Sequence, residues 1–408
     1  MRVLHVNHLD LQGRRFNGYD LLSALVAHGI EGKQAVLRKL SDDPDVIELL
    51  DTDGDDEVQY RIATVERRHS MNNLLCPWAR VLAGTRAFKE ADVVHYHLIH
   101  NQMISLLDLP WLFALRPSVW TFHDPWPMTG HCTHPLECEA WLSGCEECPA
   151  LDRDFPLESD CANRMWRIKQ SVFSEIDVDV VVASTYMRDM VRRSPLTSGF
   201  DRVHSIPFGI DTASFLPDSE KTASRKLLGI PADDFVVLFR ANNWEYKGLR
   251  YILEALGSRP PDRPTTLLAV DQRGLVRSLT PAYNVIDLGW VDDPSRYAQV
   301  FSACDVLLMP STAESFGLMA LEAMAAGRAV VCFEGTAVPA ITHAPECGIA
   351  VPAGDSSALR AAIDGLARQP EEAARRGLLG KMIATGSFGQ ERYLASLATL
   401  YRTVGARA

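Results

Sequence analysis

The chain has no long apolar run and no excess of positive charge. No stretch reaches the ~18 to 20 apolar residues that a membrane-spanning helix needs, and the closest, residues 103–115, contains Asp108 and Pro110. The 52 acidic residues outnumber the 41 basic ones, which gives a net charge of −11 and disfavours a nucleic-acid partner bound through its phosphates. The first residues lack the basic and apolar segments of a secretion signal. These absences predict a cytoplasmic protein with reduced thiols.

Strand-like apolar runs alternate with helical patterns along the whole chain. This alternation is typical of parallel sheets that are covered by helices. The runs are 3–6, 34–37, 93–97, 119–122 and 178–183 in the first half, and 235–239, 265–270, 285–288, 306–309 and 329–332 in the second. Residues 203–217 between the halves contain two prolines and a glycine, which indicates a connection between domains. We predict two doubly wound α/β domains, 1–207 and 208–385, and a closing helix in 386–408 that crosses back to the first domain.

Two carboxylates, Glu314 and Glu322, flank what reads as the start of a helix. The run 306–309 is followed by polar residues and then by apolar residues at helical spacing as far as Gly327. Unpaired backbone N–H groups at a helix start favour an anion such as a diphosphate, and Glu322, further along the helix, could reach a ribose diol. An isolated glutamate pair is more often a helix cap and a solvated residue, so other residues must support a ligand site. The residues whose amides would begin this helix are Ser315, Phe316, Gly317 and Leu318.

Three other patterns follow predicted strand ends, where open parallel sheets bind their ligands. Gly13, in the loop after the first strand, could let backbone amides approach a phosphate closely. His123 stands at the end of the run 119–122, although a histidine at a strand end is more often structural. Lys247 precedes Gly248 at a helix start, and its charge could stabilise a departing diphosphate.

Taken together, these segments resemble the retaining glycosyltransferases of family 4, which transfer a sugar from a nucleotide diphosphate to an acceptor. The resemblance covers nearly the whole chain and is most specific at the Glu-x7-Glu element. It implies the GT-B fold, in which two facing Rossmann-like domains enclose an interdomain cleft, the first binding the acceptor and the second the donor. The matching segments are the Gly13 loop, Thr121-Phe-His-Asp124, Ile206-Pro-Phe-Gly-Ile-Asp211, Lys247-Gly248, residues 314–322 and the closing helix.

The resemblance also implies roles for individual residues. Glu322 would bind the ribose hydroxyls, while Glu314 would contact the donor sugar near its reacting face. The diphosphate would be held by Lys247 and by the amides of 315–318, so no catalytic metal is expected. His123 would bind the sugar and the phosphate edge. Arg240 lies upstream of the position where the family usually carries a donor-binding arginine, and it is a candidate for donor contacts. Asp124 and Trp126 are candidates for acceptor contacts, Trp126 by stacking on a sugar ring, although a tryptophan is more often buried.

Four cysteines cluster in the loop 126–161, namely Cys132, Cys138, Cys145 and Cys148. Only the last pair has a spacing that is common in zinc sites. A structural zinc and free thiols are both open interpretations, and disulfides are less expected in a reducing compartment. The stretch also resembles a subset of family members linked to exopolysaccharide and lipopolysaccharide assembly, which suggests that the loop takes part in acceptor recognition.

The predicted function is therefore that of a retaining glycosyltransferase acting on a saccharide or a lipid-linked saccharide in bacterial cell-surface polysaccharide or glycoconjugate biosynthesis. A nucleotide-sugar hydrolase or epimerase on the same fold is an alternative, and so is a non-catalytic sugar-binding assembly subunit. Basic and apolar residues between 67 and 89 could rest on the inner face of a membrane, although a solvated helix face is the favoured interpretation because local acidic residues dilute the charge. The acidic segment 51–57 is predicted to be an exposed loop. Nothing in the sequence indicates the oligomeric state.

Overall fold

The computed structural model describes residues 1–50, 53–153, 155–215 and 218–407. These residues form two compact units, one made of 1–207 with 393–408 and the other of 208–392. Each unit is a parallel sheet with helices between most successive strands, so the predicted α/β class with two Rossmann-like domains is confirmed.

The first unit is built on a seven-stranded sheet with the order β3-β2-β1-β4-β5-β6-β7, in which neighbouring strands are parallel. Every residue of β4, β5 and β6 is buried, as expected for strands covered on both faces. The strands are β1 (Arg2–Leu9), β2 (Glu31–Arg38), β3 (Val46–Glu48), β4 (Val93–Tyr96), β5 (Ser118–Thr121), β6 (Asp179–Val182) and β7 (Val203–Ser205). The helices are α1 (Tyr19–Ala24), α2 (Asp53–Arg68), α3 (Trp78–Gly84), α4 (Arg86–Glu90), α5 (Leu109–Leu115), α6 (Ala162–Phe173) and α7 (Thr185–Arg193).

The second unit has a six-stranded sheet with the order β10-β9-β8-β11-β12-β13, again with parallel neighbours. Its strands are β8 (Phe235–Ala241), β9 (Thr265–Asp271), β10 (Asn284–Gly289), β11 (Val306–Met309), β12 (Ala329–Phe333) and β13 (Ile349–Val351). Its helices are α8 (Lys221–Leu228), α9 (Leu249–Gly257), α10 (Pro294–Ala303), α11 (Leu318–Ala325), α12 (Val338–Ile341), α13 (Ser356–Arg368) and α14 (Pro370–Ser387). The last helix, α15 (Gln390–Gly405), joins the first unit from Tyr393 onward.

Local signals explain where several helices begin. The side chains of Ser184, Asp293 and Asp355 accept the backbone N–H groups of Met187, Arg296 and Ala358, which caps the starts of α7, α10 and α13. No helix in the described part of the chain combines the length and the apolar character that are needed to cross a membrane.

The segment 203–217, predicted to connect the two domains, contains the division between the two units after Pro207, but its first three residues form the edge strand β7. One expectation about a segment is wrong. Residues 51–57 are predicted to be an exposed acidic loop, but Asp53 to Glu57 form the start of α2. Asp51 and Thr52 lie outside the described residues. Acidic side chains are favourable in the first turn of a helix. A run of acidic residues is therefore compatible with the start of a helix as well as with an exposed loop.

Candidate active site

The carboxyl ends of β8 and β11 bring Lys247 and Glu314 together. Lys247 lies in a short 3₁₀ turn, Glu245–Lys247, beyond β8, and Glu314 lies in the loop beyond β11. Because the two strands are adjacent and parallel, both loops leave the same edge of the sheet. Lys247 Nζ is 3.0 Å from Glu314 Oε2, and the two side chains are only 16% and 17% exposed. The structure thus pairs two of the residues predicted to bind the donor.

Gly248 makes this pairing possible. Its φ is +78°, and a Cβ atom at this position would lie 1.9 Å from the carbonyl oxygen of Pro310, which follows β11. The same two loops are joined by the N–H of Thr312, which donates to the carbonyl of Tyr246 at 2.9 Å. A side chain at Gly248 would force the loops apart, so the Lys-Gly sequence is needed for the approach of Lys247 to Glu314.

The helix predicted after Glu314 is present as α11. Gly317, with φ +100°, precedes its first residue, Leu318, and Gly327, with φ +75°, follows its end. The backbone carbonyl of Glu314 accepts the N–H of Ala337 at 3.0 Å, which fixes the loop ahead of the helix. Phe316 is buried against Phe208, with 5.1 Å between ring centroids. Of the four residues predicted to begin this helix, only Leu318 is helical, because Gly317 is the N-cap and Ser315 and Phe316 precede it. The start of α11 nevertheless follows Glu314 closely in the chain, beside the Lys247–Glu314 pair.

Glu322 is buried, with 1% exposure, so its interpretation as a solvated helix residue is wrong. The hydroxyl of Tyr297, in α10, donates to Glu322 Oε2 at 2.7 Å. A buried carboxylate requires such partners, because removing its charge from water is costly. Tyr297 was not predicted from the sequence, and no motif marks it.

Arg240 stands at the carboxyl end of β8 but is already paired with a carboxylate. Its guanidinium forms an ion pair with Asp271, which also accepts a hydrogen bond from Asn242 Nδ2 at 2.8 Å. Asp271 has a φ of +94°, a rare conformation for an aspartate. Contact of Arg240 with the donor therefore remains a prediction.

In the first unit, His123 follows β5, as predicted, and bonds to a second histidine. His123 Nε2 lies 3.0 Å from His97 Nδ1, at the end of β4. Burial lowers the pKa of His123 to about 3, against an opposing effect of Asp124, so the ring is neutral at physiological pH. The ring of Phe16 lies 5.2 Å from that of His123. Gly13 has a φ of +74° and packs so tightly on Phe16 that a Cβ atom would come within 2.6 Å of it.

The prediction that Trp126 contacts the acceptor is wrong, because its indole is buried and cannot stack on a sugar ring. Its indole is 1% exposed, with the ring of His100 stacked at 4.6 Å and Lys169 Nζ 3.6 Å from its centroid. Trp141 is also buried. Asp124 lies 3.1 Å from His100 Nε2. Burial alone would raise the pKa of Asp124, but His100 and the N–H of Trp126 hold it below its usual value, so the carboxylate is ionised.

All four loop cysteines are thiols, without disulfides. Cys145 Sγ accepts the N–H of Gly130 at 3.3 Å, and Cys148 Sγ lies 3.9 Å from His131 Nδ1. Of the residues that the structure describes, a different set has metal-ligand atoms within 4.8 Å of one another, namely His5, His95 and His97. Both ring nitrogens of His95 are already hydrogen-bonded, to Tyr401 and Thr121, which favours a hydrogen-bond network over a metal centre.

A cavity of about 480 Å³ lies at the opposite edge of the first sheet. Arg2, Glu31 and Lys33, near the amino ends of β1 and β2, contribute to its lining. Parallel sheets bind ligands beyond the carboxyl ends of their strands, and none of the residues discussed above borders this cavity. We assign it no role in catalysis.

Comparison with known proteins identifies the family. The model described as "Glycosyltransferase Family 4" matches residues 19–214, and the model described as "Glycosyl transferases group 1" matches residues 234–369. The chain belongs to the group 1, family 4 glycosyltransferases. Together the two matches cover both units of the structure.

Two relatives and one solved structure illustrate this membership. The WcaC glycosyl transferase of Escherichia coli, named for colanic acid biosynthesis, is 25% identical over 59% of this chain and 59% of its own length. A D-inositol 3-phosphate glycosyltransferase of Jonesia denitrificans is 25% identical over 84% of this chain and 80% of its own. The crystal structure of Anabaena HepE with UDP-glucose aligns over 99% of this chain and 100% of that one, with a TM-score of 0.67 and 17% identity. The structural likeness supports the GT-B fold of this glycosyltransferase.

Proposed function

We propose that this glycosyltransferase moves a sugar from a nucleotide-diphosphate sugar to a saccharide or a lipid-linked saccharide, and that the sugar retains its anomeric configuration. The observation that carries the proposal is the Lys247–Glu314 pair, at 3.0 Å, beside the start of α11. This arrangement offers a cation, a carboxylate and outward-pointing helix amides in one place. A sugar diphosphate offers the complementary groups, which are negative charge and hydroxyls.

Lys247 stabilises the departing diphosphate in this proposal. Because an ammonium group has three N–H donors, Lys247 can hold Glu314 and a phosphate oxygen at the same time. The first turn of α11, which begins at Leu318, adds the partial positive charge of a helix N-terminus. These groups balance the charge that develops on the leaving β-phosphate, so we propose that no catalytic metal takes part.

The other residues orient the donor. Buried Glu322 accepts hydrogen bonds from the ribose hydroxyls, and Tyr297 fixes the direction of its carboxylate. Glu314 accepts a hydroxyl of the donor sugar near its reacting carbon. His123 is neutral, so it contributes a hydrogen bond and not a charge. Retention implies that the acceptor attacks from the side that the diphosphate leaves.

We place the acceptor among the saccharides of cell-surface polysaccharide assembly. The support is the WcaC relative, which is named for colanic acid biosynthesis, together with the cysteine-containing loop near His123. An acceptor carried on a lipid would be reached at the inner face of a membrane. A structural zinc with Cys132, Cys138, Cys145 and Cys148 as its ligands is a separate proposal. Its support is the clustering of four free thiols in one loop, and binding would require their sulfur atoms to move closer together, because the described set whose ligand atoms lie within 4.8 Å of one another is His5, His95 and His97.

A thermal-shift screen tests the donor site. A ligand that binds only the folded protein stabilises it by about 2.7 kcal/mol at 100 times its dissociation constant. We expect one of the UDP, GDP or ADP nucleotides to raise the melting temperature, and we expect Glu322→Gln and Lys247→Met to reduce the shift strongly. The matched controls are Glu334→Gln and Lys226→Met, which alter exposed side chains of the same unit. The proposal fails if no nucleotide shifts the transition, or if the site variants respond like the controls.

A further inference from the structure

Two buried histidines of the first unit form a chain that ends at the half-buried His123. His5, in β1, lies with Nδ1 3.1 Å from His97 Nε2, and His97 Nδ1 lies 3.0 Å from His123 Nε2. The rings follow one another in stacked arrangements, with centroids 5.4 Å apart for the first pair and 5.3 Å for the second. We refer to His5, His97 and His123 as the histidine relay.

The protonation of the three relay rings is coupled. Burial lowers the pKa of His5 and of His123 to about 3 and that of His97 far below its usual value, so all three are neutral at physiological pH. A neutral imidazole carries one N–H donor and one bare acceptor nitrogen. Each hydrogen bond therefore fixes the roles in the next one, and only two arrangements satisfy both bonds. Either all N–H groups point from His5 toward His123, or all point the opposite way.

The inner end of the relay distinguishes these arrangements. His5 Nε2 is buried and has no hydrogen-bond partner among the residues described by the structure. If the N–H groups pointed inward, this nitrogen would carry a buried donor without an acceptor, which proteins rarely tolerate. If they point outward, it carries only an unused lone pair. Burial of His5 thus favours donation from His5 to His97 and from His97 to His123.

The charge at the outer end favours the same direction. Asp124 follows His123 directly, is ionised, and attracts positive charge toward the His123 ring. In the outward arrangement, the positive ends of the N–H dipoles point toward this carboxylate. In the inward arrangement, they point away from it. The two ends of the relay therefore select one arrangement independently.

The surroundings hold the relay rings in place. His95 lies beside His97, with 4.2 Å between centroids, and is itself fixed by Tyr401 at 2.6 Å and Thr121 at 2.7 Å. Gly18, with a φ of +98°, packs directly on His5, and a Cβ atom there would come within 2.7 Å of His5 Nδ1. The rings therefore have little space in which to turn and exchange their nitrogens.

We infer that His5 and His97 are positioning residues that keep His123 in one tautomer, with its proton on Nδ1, so that His123 meets its ligand as a hydrogen-bond donor. The side chain that bonds to one ring nitrogen decides which nitrogen carries the proton. An N–H group can donate to a phosphate oxygen of the nucleotide sugar, which carries no proton, whereas a bare nitrogen would repel that oxygen. A sugar hydroxyl can bond to either form of the ring, as acceptor to an N–H group or as donor to a bare nitrogen. This inference rests on the proposed function only for the identity of that ligand.

Nitrogen NMR of the protein with ¹⁵N-labelled histidine tests the inference without any substrate. Long-range ¹H–¹⁵N spectra distinguish protonated from bare ring nitrogens, and loss of a signal in His123→Gln assigns the ring. We expect a protonated Nδ1 and a bare Nε2 for His123 at neutral pH. His5→Phe keeps a ring but removes the first donor, so we expect the His123 signals to move toward a tautomer mixture, although the two residues are not hydrogen-bonded to each other. His69→Gln, at an exposed site of the same unit, is the control and should change nothing.

Kinetics provide the second readout. In His97→Phe, which replaces both ring nitrogens, we expect kcat for sugar transfer to fall about tenfold, the effect of one lost hydrogen bond, with nucleotide affinity unchanged. A wild-type His123 with its proton on Nε2 would overturn the inference, as would a His123 tautomer that is unaltered in His5→Phe. The wild-type spectrum decides even if a variant does not fold. If the His123 tautomer is as expected but no combination of nucleotide sugar and saccharide acceptor supports sugar transfer, the proposed function fails. The inference about the histidine relay would still hold.

Discussion

Replacing Tyr297 with phenylalanine tests whether Tyr297 orients the carboxylate that we assign to the ribose. The hydroxyl donates to Glu322 Oε2 at 2.7 Å, and Glu322 is 1% exposed. The phenyl ring would keep its contact with Phe301, 5.0 Å away, while the change removes the hydrogen bond to Glu322. A hydrogen bond to a charged group contributes about 1.5 to 3 kcal/mol. Since 1.4 kcal/mol corresponds to a tenfold change, we expect the dissociation constant of the nucleoside diphosphate to rise about 10- to 100-fold.

Calorimetric titration of the wild type and the variants with the nucleotide found in the thermal-shift screen measures this effect. Tyr60→Phe, at a side chain that is 70% exposed, is the matched control and should bind like the wild type. If Tyr297 acts through Glu322, Tyr297→Phe should have little further effect when Glu322→Gln is already present. An unchanged dissociation constant in Tyr297→Phe, or fully additive losses in the double variant, would refute the reasoning.

Two further predictions concern stability and metal content. His5 and His123 have a pKa of about 3 in the folded protein and take up protons near pH 6.5 only when it is unfolded. The free energy of unfolding should therefore fall as the pH drops from 6.5 toward 3, by about 1.4 kcal/mol per pH unit for each of the two. Urea unfolding at several pH values measures this slope, which His5→Phe should reduce and His69→Gln should leave unchanged. For the cysteine loop, we expect elemental analysis to find about one zinc per chain in the wild type and little zinc in Cys145→Ser. Cys76→Ala, outside the loop, is the control and should keep its zinc. A metal-free wild type with four titratable loop thiols would contradict the proposed zinc.

The central strands were predictable from the sequence, whereas of the four edge strands only β10, which has six residues, was predicted. Runs such as 235–239 and 306–309 are long and apolar because their strands are buried on both faces. The strands that were missed, β3, β7 and β13, have three residues each and lie at the edges of the two sheets. An edge strand has one neighbour and less burial, so its sequence carries little apolar signal. For the same reason, 203–205 read as a connection.

The candidate site divides in a similar way. Lys247, Glu314 and His123 were found because they occur in short segments at strand ends, and local spacing is visible in a sequence. Tyr297 and His97 were not found, because their roles depend on contacts with residues that are distant in the chain. Trp126 was misassigned since its type indicates ring stacking, whereas only the structure reveals that the indole is buried and in contact with His100 and Lys169.

Sugar transfer itself is the most direct test of the central claim, that Lys247, Glu314 and Glu322 form the donor site of a glycosyltransferase. The purified chain is incubated with a nucleotide sugar labelled in the sugar, with and without saccharide acceptors, and the products are separated and their anomeric configuration determined. We predict that the label moves to an acceptor with its configuration retained, that Glu314→Gln loses transfer, and that Glu334→Gln does not. Release of the label only as free sugar in the presence of acceptors, or full transfer by Glu314→Gln, would contradict the account.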